Sequence, residues 1–130
     1  MLAGHAVIAP GGTIVAIVPS EVADASFAAR ETRVLPSHVL IPGLVNAHTH
    51  TAMALMRGIA DDLPLKPWLE QHIWPCEGRF VSPEFVYDGT LLGSAEMLKG
   101  GVTCCNDMYF YPEAAARAYD DAGLRALVGM

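Results

Sequence analysis

Lysine and arginine are scarce: eight stand against fourteen aspartates and glutamates in 130 residues, a formal net charge of -6. They form no cluster that could follow a phosphate backbone, so nucleic acid is not an expected partner. Long apolar runs are missing as well. Val39-Leu40-Ile41 is cut by Pro42 and Gly43, well short of the ~20 residues a membrane span requires, and no membrane association is expected. The opening Met1-Leu2-Ala3-Gly4-His5 lacks the basic segment and following apolar stretch of a secretory signal. Cysteine is sparse and odd in number: Cys76, Cys104 and Cys105. A bridge between the adjacent pair would be strained, and none of the three sits at zinc-site spacing. Reduced thiols in a cytoplasmic protein are the expectation, with Cys104 and Cys105 read as small buried apolar residues.

What is present suits a packed core, since 52% of the residues are hydrophobic and 17% charged. Residues 6–9 and 13–18 read as strands of a hairpin around Pro10-Gly11-Gly12, and residues 21–30 as a helical turn or loop. Strand-like composition returns at 33–35 and 38–41 around Pro36-Ser37. From Leu44 the character changes. Residues 44–47 predict a buried strand leading into His48-Thr49-His50, and a helix-compatible stretch continues to Arg57. Residues 67–73 predict a short helix closed by Pro75. Ser82-Pro83-Glu84 is a helix opening with an N-cap, a proline at the first position and an acid in the first turn. That helix should end at Lys99, whose charge suits the C-terminal dipole, before Gly100-Gly101 in left-handed geometry.

A second buried strand at 102–106, a helix opened by Pro112 and ended by Gly123, and a third strand at 124–128 complete the pattern. Strands alternating with helices indicate β-α-β units and a parallel sheet, an α/β fold. A closed eight-stranded β/α barrel takes about 250 residues, so three strands amount to under half of one. The sequence stops directly after a strand that needs cover on both faces, and the expectation is a piece of a longer chain.

Chemistry concentrates at His48 and His50. Residues i and i+2 of a strand project to the same face, and this pair sits at the C-terminal end of the first parallel strand, where β/α barrels build their sites. Neutral imidazole is a ligand for zinc and related metals. Read from the pair alone, two hydrogen-bonded loop histidines remain the alternative. His72 reads as a capping or surface residue, His5 and His38 as structural, and Asp107 as the cap of a loop near the active-site end. Gly89 and Gly93, one turn apart on the long helix, indicate close approach to a neighbour.

The string Leu40-Ile41-Pro42-Gly43-Leu44-Val45-Asn46-Ala47-His48-Thr49-His50 resembles the strand-one signature of the amidohydrolase superfamily. Asn46 stands where many hydantoinase-type members have Asp, which points to the deaminase and chlorohydrolase branch with its single metal. Met56-Arg57-Gly58-Ile59-Ala60-Asp61-Asp62-Leu63-Pro64-Leu65, Trp68-Leu69-Glu70, Trp74-Pro75-Cys76-Glu77 and Asn106-Asp107-Met108-Tyr109 are similar to the 5-methylthioadenosine/S-adenosylhomocysteine deaminases. The resemblance covers essentially the whole chain.

It implies that residues 1–41 are part of a small β-sandwich lacking its first strands, and that 42–130 are the first β/α units of an incomplete (β/α)8 TIM-type barrel. It makes His48 and His50 the first two ligands of one divalent metal ion, zinc by family habit. Glu77 becomes the carboxylate that binds the ribose hydroxyls, a task suited to a group accepting two hydrogen bonds from a vicinal diol. Trp68 becomes a wall for thioether or purine, with core packing as its alternative. The implied reaction is metal-dependent hydrolytic deamination of an adenosine-type thioether nucleoside to the inosine analogue and ammonia. A third histidine, the proton-transfer residues and a late aspartate are expected outside residues 1–130. Two imidazoles fall short of the three protein ligands of a catalytic zinc site, so the 130 residues alone are expected neither to bind metal tightly nor to catalyse. The implied partner is a small-molecule purine nucleoside, and the family admits homo-oligomers. A chlorohydrolase-like enzyme, a guanine or cytosine deaminase, and a noncatalytic truncated fragment stand as alternatives.

Overall fold

A computed structural model describes residues 3–130. The chain divides between Leu40 and Ile41 into two compact units. In the first, strands β1 (His5–Ile8) and β2 (Ala16–Pro19) pair antiparallel, with His5 opposite Pro19 and Ile8 opposite Ala16. The connection turns at Pro10–Gly12, where Gly11 and Gly12 take φ of 59° and 84°, a left-handed backbone open to glycine at no steric cost. Helix α1 (Ser20–Ser26) follows. The strand-like stretches at 33–35 and 38–41 form no strand. Their β-branched residues are exposed, Val34 at 81% and Val39 at 60%. β propensity expresses fit to a pleated, half-buried surface, and the described residues offer them none.

The second unit is built on a parallel sheet of β3 (Leu44–Thr49), β4 (Val102–Met108) and β5 (Arg125–Gly129), in that spatial order. Between β3 and β4 lie a 3-10 turn (Thr51–Met56), helix α2 (Leu65–Trp68), a π-helical turn (Leu69–Ile73), α3 (Trp74–Phe80) and the long α4 (Pro83–Lys99). Helix α5 (Pro112–Ala122) links β4 to β5. Ser82 caps α4 as its sequence requires, its hydroxyl accepting from the Phe85 N–H at 3.1 Å. At the other end only Gly101 is left-handed (φ 84°), while Gly100 keeps a helical φ of -82°.

Pro75 does not close the helix before it. The Trp74 N–H bonds to the Leu69 carbonyl, five residues back, and this widened turn places Pro75 in the first turn of α3, where its missing N–H removes no helical bond. Helical structure therefore runs on from Leu65 to Phe80 and carries Glu77 with it.

The core lies on one face of the sheet, where Cys105 of β4 packs with Val86 of α4, Ala115 and Tyr119 of α5, Leu124 and Ala52. The opposite face is open, contrary to the reading of 44–47 as a buried strand: Val45 is 67% and Leu127 68% exposed. Both helices of these β-α-β units pack on the same side, so side chains that alternate to the other side meet nothing among the described residues. Gly89 and Gly93 of α4 face the Thr51–Met56 turn. An added Cβ would come within 2.5 Å of the Ala52 carbonyl oxygen at Gly89 and of Thr51 Cγ2 at Gly93, the close approach that the one-turn spacing predicts.

Candidate metal centre and substrate site

His48 lies near the end of β3 and His50 just beyond it. Their ring centroids are 5.0 Å apart, edge to face, so the i, i+2 reading holds across the strand end. The β3–β4 register is irregular between Asn46 and Thr49. Two amides manage the irregularity: Asn46 Oδ1 accepts from the His48 N–H at 3.4 Å, and Asn106 Nδ2 donates to the Ala47 carbonyl at 3.2 Å. His50 Nδ1 lies 2.5 Å from the Met108 carbonyl oxygen. A carbonyl only accepts, so the ring proton sits on Nδ1 and the neutral imidazole keeps its lone pair on Nε2, the arrangement of a histidine prepared for a metal. Among the described residues no third His, Cys, Asp or Glu joins the pair in a ligand cluster. The two imidazoles fit part of a divalent-metal site and do not complete one.

The turn after His50 is anchored from below. Asp107 is fully buried; its Oδ1 accepts from the Thr51 N–H at 3.3 Å and its Oδ2 from the Tyr119 hydroxyl at 2.7 Å. The Tyr119 oxygen also lies 2.5 Å from Thr51 Oγ1, which in turn donates to Thr49 Oγ1 at 3.3 Å. Asp107 thus caps a loop, and the loop is the turn that directly follows His50. Burial above all, and then the Asp107 carboxylate, raise the Tyr119 phenol well above its ordinary value against an opposing contribution from Thr51, so it remains a protonated donor. Burial likewise raises the Cys105 thiol. Neither Cys104 nor Cys105 is bridged, and only Cys105 is fully buried.

Glu77 is half-buried on α3, and the Tyr109 hydroxyl donates to its Oε1 at 2.9 Å. The Tyr109 ring centroid is 5.9 Å from that of His50. Glu77 and the histidine pair, 27 or more positions apart in sequence, therefore share one neighbourhood through Tyr109. Burial, followed by the bond to Glu77, raises the Tyr109 phenol. Trp68 is not brought to this cluster by any hydrogen bond or ring contact; it is half-buried, with its indole N–H directed at the Ile59 carbonyl at 3.4 Å. His72 is half-buried on the π-helical turn and takes no part. His5 bonds to the Ala3 carbonyl and His38 lies beside Ser37, both in the first unit. A cavity of about 420 Å³ runs along β3 and is lined by His50, Thr51, Arg57, Glu96 and Met97, but by neither His48 nor Glu77. Tyr109 and Tyr119 are the contributors that residue patterns alone leave without an assigned role. Their only signal is a polar group at the end of a buried strand or on the inner face of a helix.

Parallel β-α-β units with a histidine pair at a strand's C-terminal end define an α/β scaffold, and comparison narrows it. Residues 39–130 match the amidohydrolase family. A 5-methylthioadenosine/S-adenosylhomocysteine deaminase of Saccharophagus degradans is 54% identical over 123 residues, covering 95% of this chain and 28% of that protein. A 5'-deoxyadenosine deaminase of Methanothermobacter thermautotrophicus is 57% identical over 90 residues, covering 69% of this chain and 21% of that protein. The crystal structure of an adenosine deaminase from Xanthomonas campestris with bound zinc matches with a TM-score of 0.92 at 53% identity, covering 97% of this chain and 29% of that one. The chain belongs to the amidohydrolase family. It spans less than a third of the length of these relatives.

Proposed function

We propose that the chain supplies the first part of the active site of a metal-dependent deaminase acting on adenosine-type thioether nucleosides, 5-methylthioadenosine or S-adenosylhomocysteine. Residues 1–41 belong in this reading to a small β-sandwich, and 42–130 to the first β/α units of a (β/α)8 barrel. His48 and His50 are two ligands of one divalent metal ion, taken as zinc. When bound, the metal supplies the acidity that makes water nucleophilic near neutral pH. His50 is held in the ligating tautomer by Met108, and Glu77 accepts hydrogen bonds from the ribose diol, placing the purine over the histidine pair. Water adds at C6, the bond to the exocyclic nitrogen breaks, and ammonia and the inosine analogue leave. Trp68 is assigned to a wall of the substrate pocket. The setting is cytoplasmic; no helix among the described residues is long and apolar enough to cross a membrane.

The observation that carries this reading is the Tyr109-linked placement of a half-buried carboxylate beside the paired imidazoles. A base-only substrate such as guanine, or a triazine, offers no diol for such a group. The test is a substrate panel on the full-length protein with zinc, following ammonia release. Turnover of methylthioadenosine or S-adenosylhomocysteine well above that of adenine, guanine and a chlorotriazine is the expected result. Preference for a free base or a triazine would replace the nucleoside reading with another branch of the family. Absence of all turnover would replace it with a noncatalytic role.

A further inference from the structure

Among the described helices and strands, helix α3, which carries Glu77, makes its extensive contact with the π-helical turn before it. Among the described residues, one side-chain hydrogen bond joins α3 to the sheet, from Tyr109 to Glu77 across 32 positions of sequence. Tyr109 is itself fixed at the end of β4. The residue before it gives its carbonyl to His50 Nδ1, and the one before that is the buried Asp107 holding the Thr51 turn. Three consecutive residues at one strand end thus grip three parts of the site: the turn behind the histidines, the orientation of one histidine, and the carboxylate.

We propose that Tyr109 is a positioning residue that sets the separation between the Glu77 carboxylate and the histidine pair, and so makes a vicinal diol a requirement for productive binding. This rests on the deaminase reading above. The phenol donates its single proton to Oε1, while Oε2 accepts no hydrogen bond from the described side chains. With one oxygen tied to the end of β4, the carboxylate is held against turning away with its helix, and its remaining acceptor sites are left for a ligand. A diol at a fixed distance from purine C6 can then be bound while C6 sits at the metal. Without the tie, the carboxylate still accepts hydrogen bonds, but from many positions, and the ribose loses its register with the reacting carbon.

The experiment compares the full-length zinc-loaded enzyme with its Tyr109→Phe variant on methylthioadenosine and on the 2',3'-dideoxy counterpart of that nucleoside. The expected result is a fall of about tenfold or more in kcat/KM for the ribosyl substrate, the weight of one hydrogen bond to a charged group. It should appear in kcat as well as in KM, because the register of the diol with C6 is lost, with less than about a twofold change for the dideoxy compound and unaltered zinc content. Glu77→Gln should abolish the preference for the diol, and adding Tyr109→Phe to it should cost nothing further. An equal loss on both substrates, or unchanged discrimination, overturns the inference and leaves the deaminase intact. A wild-type enzyme with no nucleoside deamination removes both readings together. Should Tyr109→Phe not fold, Glu77→Asp, one methylene shorter, tests the same spacing: retained diol preference in that variant overturns the proposal.

Discussion

Tyr119→Phe isolates the polar anchor beneath the turn that follows His50, because it removes one oxygen and leaves the ring's packing in place. Two contacts vanish: the bond to Asp107 Oδ2 at 2.7 Å and the contact with Thr51 Oγ1 at 2.5 Å. A hydrogen bond to a charged group is worth about 1.5–3 kcal/mol and a neutral one about 0.5–1.5 kcal/mol. The two are not additive, and losing a buried hydroxyl recovers some desolvation. What remains is a fully buried carboxylate with the Thr51 N–H at 3.3 Å as its partner. The net cost should fall at about 2–4 kcal/mol against opening of this turn. Hydrogen exchange of the peptide covering residues 49–56, read in the full-length protein, reports that opening directly. Since each 1.4 kcal/mol is a factor of ten, the Thr51 amide should exchange about 30- to 1,000-fold faster in the variant. Asp107→Asn combined with Tyr119→Phe should show strong coupling rather than a sum. Exchange within about threefold of wild type would refute the argument and reduce Tyr119 to a packing residue.

Gly89→Ala forces a methyl to within 2.5 Å of the Ala52 carbonyl oxygen, a backbone atom that cannot step aside alone. The expected cost is about 1–3 kcal/mol, read as a lowered thermal midpoint with reduced zinc retention, whereas Gly78→Ala, in open space, should be silent. Tyr109 and Tyr119 are both raised by burial and by neighbouring carboxylates. A raised group keeps its proton in the folded state while the unfolded chain loses it, so this part of the stability is fully present below the ordinary tyrosine value of about 10 and declines as pH rises above it. Thermal midpoints measured from pH 9 to 11 should fall, and Tyr119→Phe should flatten the fall; a parallel decline in both proteins would contradict the assignment.

Local signals in the sequence proved reliable where local chemistry decides the structure. Ser82-Pro83 sets the start of α4, Gly123 takes the left-handed conformation that ends α5, and His48 and His50 share a strand end. Reading failed where the outcome depends on distant surface. Residues 33–35 and 38–41 have strand composition and no strand to pair with. Pro75 looked like a terminator because a widened turn five residues long leaves no single-residue mark. The apolar run of β3 reads as buried, since composition does not say on which side the helices lie. The candidate site divides in the same way. The paired histidines are a two-residue pattern and were legible at once. Glu77 was legible only through resemblance, because nothing around position 77 betrays a phenol 32 positions away. The Thr51, Asp107 and Tyr119 network spans 56 and 68 positions and exists only once β4 has been laid beside β3.

In the proposed function the histidine pair holds the metal on which nucleoside deamination depends. That role is tested most directly by measuring zinc content and methylthioadenosine turnover together in the full-length protein and its His48→Ala and His50→Ala variants. Stoichiometric zinc and ammonia release are expected in the wild type, with a drop of at least about a thousandfold in turnover in both variants and metal lost in parallel, and recovery of chelator-stripped wild type, but of neither variant, on adding zinc. Full metal occupancy and undiminished turnover in His50→Ala would contradict it.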